Sequence, residues 1–189
     1  VGVTCVPSRY ILIDEVFKKV RPQMEESGLP EEIRNEVAEK VSISAVKYSI
    51  LKQKAGKNII FDIDKSVSFE GDSGPYLQYT CVRAKSVIEK AKRENKKPKA
   101  VSEKKEITNL ERMIYRFPEI IKRAGEEYSP HYVVIYLIEL SAEFNTYYAV
   151  NKIIGNSKES QYRLAMTKAV SIILENGLKI LSIKVPERM

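Results

Sequence analysis

The sequence contains no tryptophan, a single histidine and only two cysteines among its 189 residues. Each scarcity removes a class of chemistry. Cys5 and Cys81 lie far apart and neither has a CxxC partner, which argues against a disulfide framework or a structural zinc site and fits a reducing compartment. The lone His131 has no second histidine to complete a ligand set or proton relay. It follows Pro130 at an expected helix start, where a capping or surface role is the natural reading. No apolar run approaches the roughly eighteen residues that a membrane-spanning helix needs. Tyr132–Leu140 is short and carries Glu139. The N-terminus lacks the basic region, apolar stretch and small-residue cleavage site of a secretory signal. Neither a Walker loop, a dinucleotide-binding glycine fingerprint nor a cluster of metal ligands occurs. These absences lead to the expectation of a cytoplasmic protein with no membrane contact, no metal and no cofactor of its own.

What is present is ordinary in bulk and unusual in placement. The chain is 43% hydrophobic and 30% charged, as expected of a globular protein able to bury a core. Its net charge is +7. Between Arg83 and Lys105 stand ten Lys or Arg and three Glu, which accounts for that entire excess. A basic stripe confined to one stretch suits a polyanion such as nucleic acid, although a solvated helix and loop has the same composition.

The hydrophobic pattern is that of helices. Leu12–Glu26 has helical spacing, with Pro22 expected to kink or split it. Pro30-Glu31-Glu32 reads as a new start, and its apolar spacing runs on to Leu51 with a possible break at Ser42–Ser44. Ile59–Phe61 reads as a short strand or extended segment. Gly71-Asp72-Ser73-Gly74-Pro75 is the strongest loop signal and divides the chain into 1–74 and 75–189. Beyond it, helices are expected from Tyr76 to about Glu94, around Ile107–Phe117, from a short helix opened by Pro118, and from Pro130 until Gly155-Asn156-Ser157 closes it. The last helix carries Met166, Val170, Ile173, Gly177 and Ile180 on one face. With no βαβ alternation, the fold class is all-α: a helical bundle preceded by a smaller, mostly helical region.

Two constellations carry possible chemistry. Asp62 and Asp64, at i and i+2 on an extended segment, point the same way and so allow a metal or acid/base pair. The preferred reading has them orient backbone and loop groups at a turn. Tyr76 and Tyr79 are three apart at a helix start and share a face. Tyr147 and Tyr148 adjoin Phe144 on a later helix. Tyrosines beside a basic stripe suit single-stranded RNA, whose bases stack on rings while Lys and Arg hold phosphates. The same spacing also serves core or rim packing.

The segment Phe61-Asp62-Ile63-Asp64-Lys65-Ser66-Val67-Ser68-Phe69-Glu70-Gly71-Asp72-Ser73-Gly74-Pro75-Tyr76-Leu77-Gln78-Tyr79 closely resembles arginyl-tRNA synthetases. Three further blocks agree in the same order: Ser44–Tyr48, Leu140–Tyr148, and the ending from Asn176-Gly177-Leu178 to Pro186-Glu187-Arg188-Met189. The resemblance covers roughly Arg9 to Met189. It implies that 1–74 corresponds to the end of the class I catalytic region and 75–189 to a helical anticodon-binding domain. It also implies tRNA-Arg as the partner, gripped on its anticodon side, with the region before Pro75 touching the inside of the tRNA elbow. Tyr76, Tyr79, Tyr148 and the terminal Met189 would contact or shape the anticodon-loop pocket, with Gln78 among the binding residues. Arg83, Lys85, Lys90, Lys92 and Arg93 would attract phosphate.

The departures matter equally. A HIGH-type ATP motif is absent, and the place of a KMSKS-type loop, before Tyr10, holds Val1–Ser8 without any lysine. ATP is used by the full enzyme of this family, so this chain alone is expected to be inactive and to need the missing catalytic domain as a partner. A start at Val1 leaves the chain readable as a fragment, a processed product or a divergent relative. The alternatives are the related helical domain of cysteinyl enzymes, a noncatalytic tRNA-binding relative, and a helical protein–protein module.

Overall fold

A computed structural model describes residues 9–25, 28–100 and 106–189. Val1–Ser8, Cys5, Glu26, the Lys104–Lys105 end of the basic run and the side chain of Ile11 fall outside the described residues. Those described form seven helices and no strand: α1 (Arg9–Gln23), α2 (Glu31–Leu51), α3 (Ile63–Ser66), α4 (Gly74–Arg93), α5 (Asn109–Glu126), α6 (His131–Val150) and α7 (Lys158–Ile180). The all-α expectation is met.

The first core is built by α1 against α2. Val16 and Val20 are fully buried with Val37, Ala38, Val41 and Ala45. Ile13 and Phe17 are half-buried against this core. Pro22 does not split α1, which runs from Arg9 to Gln23 and ends one residue after it. α2 runs unbroken through Ser42–Ser44, since that turn is buried and the Ser42 hydroxyl donates back to the Ala38 carbonyl at 2.7 Å. Ile59–Phe61 pairs with no strand among the described residues, and Asp62 caps the one-turn α3 by accepting from the Lys65 amide at 3.1 Å.

The second core gathers α4–α7. Leu77, Cys81 and Ala84 of α4 meet Leu110 of α5, Val133, Leu137, Leu140 and Phe144 of α6, and Val170, Leu174 and Leu178 of α7. Glycine lets two helices approach here. A Cβ on Gly177 would stand 2.6 Å from a Leu137 methyl, so α6 fills the space that the missing side chain leaves on α7. Pro118 opens no short helix of its own but lies within α5. It is exposed, so its ring meets no neighbouring helix. Ile107 and Ile180, expected on apolar faces, are exposed. Ser157 does not close α6, which ends at Val150, but caps α7 by accepting from the Ser160 amide at 3.1 Å.

The joint before α4 fixes the two cores together. Ser73 accepts from the Tyr76 amide at 3.0 Å and starts α4 at Gly74, two residues before the expected position. A Cβ on Gly74 would lie 2.5 Å from the Ser44 carbonyl oxygen, so only glycine lets α4 begin against the middle of α2. Asp72, just upstream, accepts from the Tyr48 hydroxyl and pairs with Lys52 at the end of α2. The C-terminal tail closes the arrangement: Ile183 is buried in the second core and Met189 packs against the first.

Candidate nucleic-acid interface

The α4 sequence decides which residues reach the surface together. With 3.6 residues per turn, Tyr76, Tyr79, Thr80 and Arg83 fall on one side of the helix. That side faces α6, where Asn145 and Tyr148 share a face through their i, i+3 spacing. The six form a connected polar and aromatic cluster. Asn145 Nδ2 donates to Tyr76 Oη at 2.9 Å and to Thr80 Oγ1 at 3.1 Å, while its Oδ1 accepts from Arg83 at 3.0 Å. A second Arg83 nitrogen donates to Tyr79 Oη at 2.6 Å. The guanidinium carbon lies 4.6 Å from the Tyr79 ring centroid and 5.6 Å from that of Tyr148, within cation–π reach of both. Tyr148 leans in turn on buried Phe144, with centroids 6.0 Å apart.

Arg83 makes no ion pair with a carboxylate among the described residues. It is a half-buried cation held by neutral partners, and its charge stays available to an anion. The rings beside it supply stacking surface at two different heights along the seam between α4 and α6.

The other side of α4 is different. Lys85 pairs with Glu175 of α7 at 2.7 Å, and Lys92 pairs with Glu89 at 2.5 Å. The hydrogen bond from Lys92, with its charge, holds the exposed Glu89 carboxyl below its ordinary range. Lys90 and Arg93 are exposed and make no ion pair among the described residues. Lys90, seven positions after Arg83, returns to the tyrosine side, whereas Lys85 lies opposite. The expected basic stripe is therefore divided between two surfaces.

The remaining sequence candidates are placed elsewhere. Gln78 is fully buried. Its amide nitrogen donates to the carbonyls of Lys184 at 2.6 Å and Lys40 at 3.3 Å and so ties α4 to α2 and the C-terminal tail, while its Oε1 is buried without a partner among the described residues. Met189 is half-buried against the first core and is not a member of the hydrogen-bonded cluster. His131 is buried rather than at the surface and provides no side-chain cap; its ring lies 4.3 Å from that of Tyr132. Asp62 and Asp64 do not point the same way as a pair: Asp62 caps α3 and Asp64 lies within it, bonded to Lys19 at 2.5 Å. Sequence reasoning missed Thr80 and Asn145. Asn145 stood inside the Leu140–Tyr148 block, three residues before a singled-out tyrosine, and that spacing was the signal.

Comparison with known proteins agrees with this fold. An arginine–tRNA ligase of Lactococcus lactis subsp. lactis (strain IL1403) is 36% identical over 180 residues, which are 94% of this chain and 32% of that protein. One from Pyrococcus abyssi is 36% identical over 188 residues, covering 94% of this chain and 30% of its own length. Among solved structures, Thermus thermophilus arginyl-tRNA synthetase superposes with a TM-score of 0.81 at 29% identity, over 95% of this chain and 32% of that one. The Plasmodium falciparum arginyl-tRNA synthetase shares the fold with a TM-score of 0.78 at 22% identity, over 97% and 34%. The chain thus spans about a third of the length of the relatives that it matches. The resemblance seen in the four sequence blocks holds across nearly all of the chain. Residues 77–189, which carry α4 to the C-terminal tail and with them most of the cluster, match the DALR anticodon binding domain, and the chain belongs to that family.

Proposed function

We propose that this chain binds tRNA-Arg through the anticodon side and so supports ATP-dependent arginylation by a longer protein. The observation that carries this reading is the seam between α4 and α6. There a guanidinium with no carboxylate partner among the described residues lies between the rings of Tyr79 and Tyr148, with Tyr76 joined to them through Asn145. Such a seam combines attraction for phosphate with surfaces on which unpaired bases stack, the combination that single-stranded RNA loops require. Lys90 extends the cationic surface on the same side. In this reading α1–α3 form the end of a catalytic region and touch the tRNA nearer its elbow. Residues 75–189 form the anticodon-binding domain, and Met189 helps to shape the pocket from the first core. ATP belongs to the catalytic part, and the site of action is the cytoplasm.

The test is a binding measurement of the chain with tRNA-Arg and with the same tRNA carrying another anticodon. The expected result is binding of tRNA-Arg that weakens about tenfold on the swap, a difference of about 1.4 kcal/mol. Equal affinity for both would refute anticodon recognition. ATP–pyrophosphate exchange by the chain alone, in the presence of arginine, would refute its dependence on a separate catalytic part.

A further inference from the structure

The Asn145 carboxamide dictates the direction of the hydroxyls around it. A guanidinium can only donate, so Oδ1 has to face Arg83 and Nδ2 has to face the two hydroxyls. The contacts at 3.0, 2.9 and 3.1 Å agree with that assignment. Nδ2 then occupies an acceptor position on both Tyr76 Oη and Thr80 Oγ1. Thr80 passes its own proton to the Tyr76 backbone carbonyl at 2.9 Å. The Tyr76 phenol proton has no acceptor among the described residues. Tyr79 Oη is in the same state, because it accepts from Arg83 and its proton is uncommitted. The seam therefore presents two phenol O–H donors and a guanidinium, with no carboxylate bonded to any of them among the described residues.

We infer that Asn145 is a positioning residue that sets the hydrogen-bond polarity of this site, so that the site presents its phenol O–H groups and guanidinium to an oxygen-acceptor group of a single-stranded nucleotide. The acceptor is a phosphodiester oxygen or a base carbonyl. The inference rests on the proposed RNA binding and adds the direction in which the donors point.

Asn145→Asp tests it with little change in shape. The carboxylate takes a charge-assisted bond from Arg83 and turns the Tyr76 and Thr80 hydroxyls inward as donors. In the full chain, N145D is expected to melt at or above the wild-type temperature. Its affinity for tRNA-Arg should nonetheless fall by about tenfold or more, with the salt slope shallower by about 0.7. Tyr76→Phe should weaken wild-type binding several-fold and add no loss in N145D, where the hydroxyl already points inward. N145D binding as wild type, or a Y76F loss of equal size in both backgrounds, overturns the inference while leaving RNA binding intact. Failure of the wild-type chain to bind tRNA-Arg overturns the proposed function, and this inference with it. Methylphosphonates at the loop phosphates of an anticodon stem–loop separate the two acceptors. If they erase the N145D difference, the acceptor is phosphate; if the difference persists, it is a base carbonyl.

Discussion

The two long sides of α4 both carry cations and differ in what they leave available. Toward α7, Lys85 meets Glu175 across the groove and Lys92 meets Glu89 on its own helix. Toward α6, Arg83 meets an amide, a phenol and two ring faces, none of them anionic. A tally of positive residues along α4 treats Lys85 and Arg83 alike. Their partners do not: one charge is largely cancelled at the surface, and the other is oriented and left for a ligand. Where acids stand on neighbouring helices therefore says more about an anion site than the basic run itself.

Four substitutions break or sharpen that contrast, beginning with the strongest. Leu77→Ala, between the two sides and fully buried, should cost about 2–5 kcal/mol of stability in denaturant melts. That would set the core side of α4 apart from both others. Tyr79→Ala should remove about 1–3 kcal/mol of tRNA-Arg affinity with little change in melting temperature, as expected for one lost stacking surface. A large drop in stability with unchanged affinity would make the ring a packing residue and dissolve the contrast. Arg83→Gln should lower affinity and reduce the slope of binding against salt by about 0.7, one phosphate's share on a single strand. Lys85→Gln should change stability and affinity by no more than about 1 kcal/mol each, because an exposed ion pair contributes little. Matching salt slopes for R83Q and K85Q would show that the two sides are equivalent after all.

Much of this arrangement was legible in the order of residues. Helical spacing and the Gly71-Asp72-Ser73-Gly74-Pro75 loop announce helices and their starts, because those signals act within one or two turns. Tyr76, Tyr79 and Tyr148 were readable as one group only through the family resemblance. Pairing between helices was not legible. Nothing local tells that Lys85 will find Glu175, ninety positions later, or that Gln78 will be spent on the carbonyls of Lys184 and Lys40. Pro118 misled for the opposite reason, since the local rule against proline in helices yields here to the packing that holds α5 continuous on both sides of it. Asn145 escaped notice because its spacing from Tyr148 shows only a shared face, and its role exists only once Arg83 and two hydroxyls surround it.

Cys81 gives the fold a chemical clock. Its thiol is fully buried one residue beyond Thr80, and burial pushes it up to about 12, so little thiolate exists in the closed state at neutral pH. An alkylating reagent can reach it at an appreciable rate only when α4 lifts from the second core. The rate of Cys81 modification, followed by mass spectrometry that resolves it from Cys5, then reports how often the binding helix detaches. Added RNA that grips α4 and α6 together should slow that rate in proportion to its occupancy, giving a reading of the docked state from a residue that touches no ligand.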